Sequence, residues 1–184
     1  MPARNVIITV PNLITVIRLV LVPVIIYLAI ESAYGLAFAL FIVAGMADAL
    51  DGYVARRFHL TSQLGAHLDP LADKALLISL YIVLATIPAI PVWLAILVVS
   101  RDVLIIGAFL LSWVLGSRTE VRPLAVSKAN TAAQIVLVAV VLADLAFPTD
   151  FAAIRLLLVV MVAMLTSISG TAYLVGWFRH MNLA

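Results

Sequence analysis

Asp48-Ala49-Leu50-Asp51-Gly52-Tyr53-Val54-Ala55-Arg56, followed after eight intervening residues by Gly65 and then by Asp69 and Asp73, is the stretch that orders the rest of this chain. It holds four of the nine carboxylates in the sequence. Asp48 and Asp51 are three apart and Asp69 and Asp73 four apart, so on helices each pair shares a face, one turn above the other. Long apolar runs lie on both sides. Two such pairs on adjacent helices can converge on one site, and four acids at helical spacing in a chain that is 66% hydrophobic call for a cation between them.

Composition sets the surroundings. Only 11% of the 184 residues are charged and the mean hydropathy is +1.25, far from soluble domains, where about a quarter of residues are charged. The reading is an all-α integral membrane bundle forming one domain over residues 1–184, with no linker or repeat. Absence of cysteine excludes disulfides, thiolate nucleophiles and sulfur-ligated metals. A formal charge of +2 fits anionic lipid and the positive-inside rule, and hardly nucleic acid.

Counting runs of about twenty apolar residues predicts six helices, near 12–30, 34–52, 69–87, 91–115, 124–146 and 151–178. Residues 1–11 form a short interfacial lead-in, and the run Leu13 to Ile30 overshoots the apolar region of a signal peptide. The second helix is expected to end at Gly52 and the third to begin at Asp69-Pro70, where proline fits a first turn. In the sixth, Ser167, Ser169, Gly170, Thr171 and Ala172 read as a close-packing face. Arg4, Arg56, Arg57, Arg118, Arg122 and Arg179 fall on one side, whereas the loops around Glu31, 87–91 and Asp144 to Asp150 lack Lys and Arg. Both termini and the four aspartates are therefore expected on the cytoplasmic side, in a bacterial inner membrane.

Carboxylates are hard ligands suited to Mg²⁺ or Mn²⁺, and one such ion needs only one or two of them. Four acids suit two ions roughly 3.5–4 Å apart, an arrangement that serves phosphoryl transfer. Gly52 leaves room for a bulky phosphorylated substrate, and Arg56 can meet phosphate oxygens bidentately. Acids near helix ends also serve as caps or stay solvated. An ion carrier would use intramembrane carboxylates too, but has no need of Asp-Gly, Ala-Arg and Gly at fixed offsets.

The pattern Asp48-x2-Asp51-Gly52-x2-Ala55-Arg56-x8-Gly65-x3-Asp69-x3-Asp73 resembles, at every fixed position, the signature of the CDP-alcohol phosphatidyltransferase family. The resemblance implies that Asp48, Asp51 and Asp69 hold two divalent metals and that Asp73 both touches a metal and acts as general base. It further implies that Asp51, Gly52, Ala55, Arg56 and Gly65 line the pocket for the CDP group, that CDP-diacylglycerol is the donor and CMP the leaving group, and that the protein forms a homodimer.

The acceptor alcohol is sought among the other polar residues. Arg18 and Arg101-Asp102 lie inside apolar runs, where charge is costly and functional by default. Their alternative role is mutual or carbonyl pairing that fixes helix packing. Lys128 can contact an acceptor phosphate or be an ordinary interfacial lysine, and Arg155 is expected to snorkel. The stretches Ser100 to Leu104 and Val121 to Gln134 resemble the CMP-forming cardiolipin synthase branch, which implies phosphatidylglycerol as acceptor. Phosphatidylglycerophosphate synthases are similar across Asp48 to Lys74, so glycerol 3-phosphate is the alternative. None of His59, His67 and His180 opens a His-x-Lys motif, which leaves a phosphohistidine route without support.

Overall fold

The computed structural model describes the backbone of residues 10–58, 63–114, 125–147 and 150–181, with side chains at 17, 20–47, 74–107, 125–147 and 150–176. These residues form six helices: α1 (Val10–Ile30), α2 (Tyr34–Phe58), α3 (Gln63–Thr86), α4 (Val92–Val114), α5 (Ala125–Ala146) and α6 (Ala152–Met181). The helices close a ring in the order α1, α2, α5, α6, α4, α3, and α3 also touches α5 across the middle.

Apolar side chains from all six helices meet inside the ring: Ile25, Phe41, Leu80, Tyr81, Leu84, Leu94, Val98, Leu137, Leu142 and Val162 are all buried. The exterior is apolar as well. Val20, Leu36, Ile96 and Leu157 are each at least 60% exposed, a surface that water would penalise at roughly 25 cal/mol per Å². Among the described residues, Ala125–Ala146 and Ala152–Gly176 are long and apolar enough to cross a membrane, and Val20–Ile30, Tyr34–Ala47 and Lys74–Thr86 are shorter apolar stretches.

The ends of the helices have local causes. After α1, Ser32 adopts φ 61°; the Ala33 amide donates to the Leu28 carbonyl (2.9 Å) and the Ser32 amide to Ala29 (3.3 Å), which together satisfy the last turn of the helix. After α3, the Ala89 and Ile90 amides both donate to the Leu84 carbonyl, at 2.8 and 3.2 Å. Before α6, Asp150 accepts from the Ala152 amide at 3.1 Å, as an acid at a helix start does.

Four helices lie close to the expected ranges, but α2 and α3 differ. The α2 helix runs past Gly52 to Phe58, and α3 begins at Gln63, before Asp69-Pro70. A helical glycine costs only about 1 kcal/mol, which the helix formers Ala55, Arg56 and Arg57 outlast. Pro70 has no amide to donate to the Ala66 carbonyl, a loss that a long helix tolerates when other groups take up the freed carbonyl. The start of the 1–11 lead-in, and Arg4, Arg118 and Arg122, lie outside the described residues.

Candidate functional site

The two helix extensions change where the aspartates sit. Asp48 and Asp51 are inside α2, with Gly52, Ala55 and Arg56 following on the same helix; Gly65, Asp69 and Asp73 are inside α3. At about 1.5 Å rise per residue, Asp48 and Asp51 are about 4.5 Å apart along their axis and Asp69 and Asp73 about 6 Å. Both helices pack on α1 and α5, so the ring holds the two pairs beside common neighbours. The side chains of these residues, and of Arg18, lie outside the described set. Among the described residues no three metal-ligating side chains gather. The donor set on α2 and α3 nevertheless fits a hard divalent cation, because it is all carboxylate and contains two helical pairs.

Immediately beyond Asp73 the described side chains begin with a buried charged cluster. Lys74 of α3 donates to Asp102 Oδ2 of α4 at 2.8 Å, and Arg101 Nη1 donates to Asp102 Oδ1 at 2.5 Å. Arg101 Nη2 donates to Ser127 Oγ of α5 at 2.6 Å and to Ser169 Oγ of α6 at 2.6 Å. The guanidinium also lies 5.8 Å from the centroid of the Tyr173 ring, within cation–π range. Arg101 is 4% exposed and Asp102 1%. Charges so far from water are retained only when paired and hydrogen-bonded, and here both carboxylate oxygens and both terminal guanidinium nitrogens have partners. Four helices are tied at one level.

Arg101 is thus paired within the protein, and its Nε has no partner among the described residues. A second buried contact lies one turn along α5, where Thr166 Oγ1 donates to Asn130 Oδ1 at 2.9 Å. Lys128 is exposed on the first turns of α5. Arg155 does more than snorkel: its Nη1 meets Asp144 Oδ2 at 3.1 Å, tying α6 to α5. On the expected close-packing face of α6, Ser169 is buried, Arg101 packs against Gly170 and Ala172 is half-buried. Ser167 and Thr171 are exposed and return their hydroxyls to their own helix, at Ala163 O (2.9 Å) and Ser167 O (2.8 Å).

Sequence reasoning missed Lys74, Ser127, Ser169 and Tyr173 as members of this cluster. The signal was present in part: adjacent Arg101 and Asp102 midway along an apolar helix demand partners, and Lys74 is the nearest charge following the signature. A cavity of about 480 Å³ lies at the other end of α3, lined by Ala85, Pro88, Pro91, Arg155 and Val159 among others. It is remote from the aspartates, Ala85 lying about 18 Å along α3 from Asp73.

The chain is 37% identical over 197 residues to a Schizosaccharomyces pombe protein named cardiolipin synthase (CMP-forming) / mitochondrial hydrolase fusion protein, covering 99% of this chain and 33% of that one. It is 38% identical over 154 residues to the Homo sapiens cardiolipin synthase (CMP-forming), covering 73% of this chain and 50% of the relative. Similarity extends to an Oryza sativa subsp. japonica chloroplastic CDP-diacylglycerol–glycerol-3-phosphate 3-phosphatidyltransferase, 35% identical over 157 residues, with 76% of this chain and 48% of the other covered. The chain thus spans about half or less of the length of these relatives. The family model for CDP-alcohol phosphatidyltransferase matches residues 8–177, from the start of α1 to near the end of α6. The chain belongs to the CDP-alcohol phosphatidyltransferase family.

Proposed function

We propose that the protein transfers a phosphatidyl group from CDP-diacylglycerol to the hydroxyl of phosphatidylglycerol, releasing CMP and forming cardiolipin. The observation that carries this reading is the complete aspartate signature on α2 and α3 of a chain belonging to this family over nearly its whole length. The names of the fission yeast and human relatives support phosphatidylglycerol as the acceptor. The rice relative's name favours glycerol 3-phosphate as the second reading.

Asp48, Asp51, Asp69 and Asp73 would hold two divalent ions, Mg²⁺ or Mn²⁺. Bound there, such ions supply neutralisation of the pyrophosphate and of the charge that develops on departing CMP. Asp73 takes the proton from the acceptor hydroxyl as its oxygen bonds to the phosphorus that bears the diacylglycerol; the bond from that phosphorus to the CMP oxygen breaks. Gly52, Ala55 and Gly65 keep small residues where the CDP group approaches, and Arg56 meets its phosphate oxygens. Arg101, Lys128 and Arg18 serve the acceptor. The buried Nε of Arg101, without a partner among the described residues, and the two cations facing one carboxylate in its cluster support an anionic acceptor at that level.

The apolar exterior and two membrane-length helices support a bundle whose six helices span the bilayer. The bias of arginines toward one side supports cytoplasmic termini and a cytoplasmic active site as the reading. CMP release from CDP-diacylglycerol, followed with phosphatidylglycerol and glycerol 3-phosphate offered separately, tests the acceptor. Release with phosphatidylglycerol fits the first reading, and release with glycerol 3-phosphate alone replaces it by the second.

A further inference from the structure

We infer that Asp102 is a positioning residue for the metal-binding turn of α3, acting through Lys74. This rests on the reading that Asp69 and Asp73 hold metal. Lys74 follows Asp73 directly, so whatever fixes the height and rotation of α3 at Lys74 fixes them at Asp73. Lys74 is held at 2.8 Å by a carboxylate that is 1% exposed. That carboxylate is not a free counter-ion: its other oxygen is bound to Arg101, and Arg101 is bound in turn to Ser127 of α5 and Ser169 of α6. Lys74 is thereby referred to three other helices at once.

On the other side of Lys74, α3 is gripped by apolar contacts, with Leu76, Leu77, Leu80, Tyr81 and Leu84 all buried. Those contacts fix the helix axis, and the ion pair to a carboxylate that Arg101 also holds adds a directional contact opposing rotation and sliding at Lys74. A shift of even 1 Å at ligands of a small cation is costly, because Mg²⁺ demands a near-ideal ligand geometry. Groups that orient ligands in this way without touching the metal are worth 10–100-fold, roughly, in metal affinity. The cluster therefore acts as a clamp that sets one of the two carboxylate pairs against the other.

The experiment is Mn²⁺ titration of the purified full chain in detergent, reading free Mn²⁺ by electron paramagnetic resonance, with thermal unfolding measured on the same samples without metal. Lys74→Met is the primary variant, since it leaves the Arg101–Asp102 pair intact and removes a side chain that is 24% exposed. It is expected to unfold within a few degrees of wild type and to bind Mn²⁺ about tenfold or more weakly. Lys74→Arg, which can keep the Asp102 contact, should recover most of the affinity. Asp102→Asn should weaken Mn²⁺ binding at least as much, and adding Lys74→Met to it should cost little more, because the two residues act as a unit. Wild-type affinity in Lys74→Met overturns the positioning role alone. Absence of Mn²⁺ binding by the wild-type protein overturns the metal reading, and the positioning role with it.

Discussion

Arg101→Met is the substitution whose cost the structure defines best. Methionine keeps much of the volume and the unbranched stem, whose Cγ lies 3.6 Å from where a side chain at Gly170 would begin, so cavity formation contributes little. What is lost is the guanidinium, with its pair to Asp102 and its bonds to Ser127 and Ser169. Breaking a buried ion pair from one side costs about 3–5 kcal/mol when the other charge is left alone. Here Lys74 still holds Asp102, which brings the pair's share down to about 2 kcal/mol. Hydrogen bonds between helices in a membrane average about 0.6 kcal/mol each, and two of them add about 1. The total is about 3 kcal/mol. The assay is reversible unfolding in detergent or bicelles, run as a cycle with Ser169→Ala. In the wild-type background Ser169→Ala should cost about 0.6 kcal/mol or somewhat more; in the Arg101→Met background its hydrogen-bond share should vanish. Unchanged stability in Arg101→Met, or a Ser169→Ala effect of equal size in both backgrounds, would refute the clustering of these side chains.

Other outcomes follow from the aspartates and from one turn. Chelator should abolish CMP release, and Asp48→Asn or Asp69→Asn should raise the metal concentration needed for half-maximal rate; undiminished turnover in excess EDTA would remove the metals from the reaction. Asp73→Asn should lower kcat by about 10²–10⁴-fold while binding of CDP-diacylglycerol, measured by thermal shift, persists. If binding is lost instead and the rate at saturation is kept, Asp73 is a ligand and not the base. Ser32→Gly should stabilise the protein by about 0.5 kcal/mol, because φ 61° strains a side chain by about 1–2 kcal/mol and the extra chain entropy of glycine offsets part of the relief. A thermal midpoint below wild type would count against that turn.

Much of the helical frame was legible because it rests on apolar run length, which burial in a bilayer dictates almost residue by residue. The boundaries of α1, α4, α5 and α6 fall within about three residues of those runs. The ends of α2 and α3 were illegible for the opposite reason: beyond Gly52 and before Asp69 the sequence turns polar, and periodicity then gives way to breaker residues that packing overrides. The aspartates stand out in the sequence as four acids at three- and four-residue spacing against an apolar background, and the structure puts them on α2 and α3. Partners across helices were not legible. Nothing in the spacing of Lys74, Asp102, Ser127 and Ser169 says that they meet, because that depends on the order of helices around the ring. Arg155 and Asp144 met for the same reason, unannounced by their eleven-residue separation.

The reaction itself is tested most directly by following the phosphorus. CDP-diacylglycerol carrying ³²P only in the phosphate bonded to diacylglycerol is incubated with the purified protein, phosphatidylglycerol and Mg²⁺ or Mn²⁺, and the products are separated. Transfer of a phosphatidyl group predicts that the label appears in cardiolipin while unlabelled CMP is released in equal amount. Label leaving with the nucleotide, or no metal-dependent release of CMP with any alcohol acceptor, would contradict it.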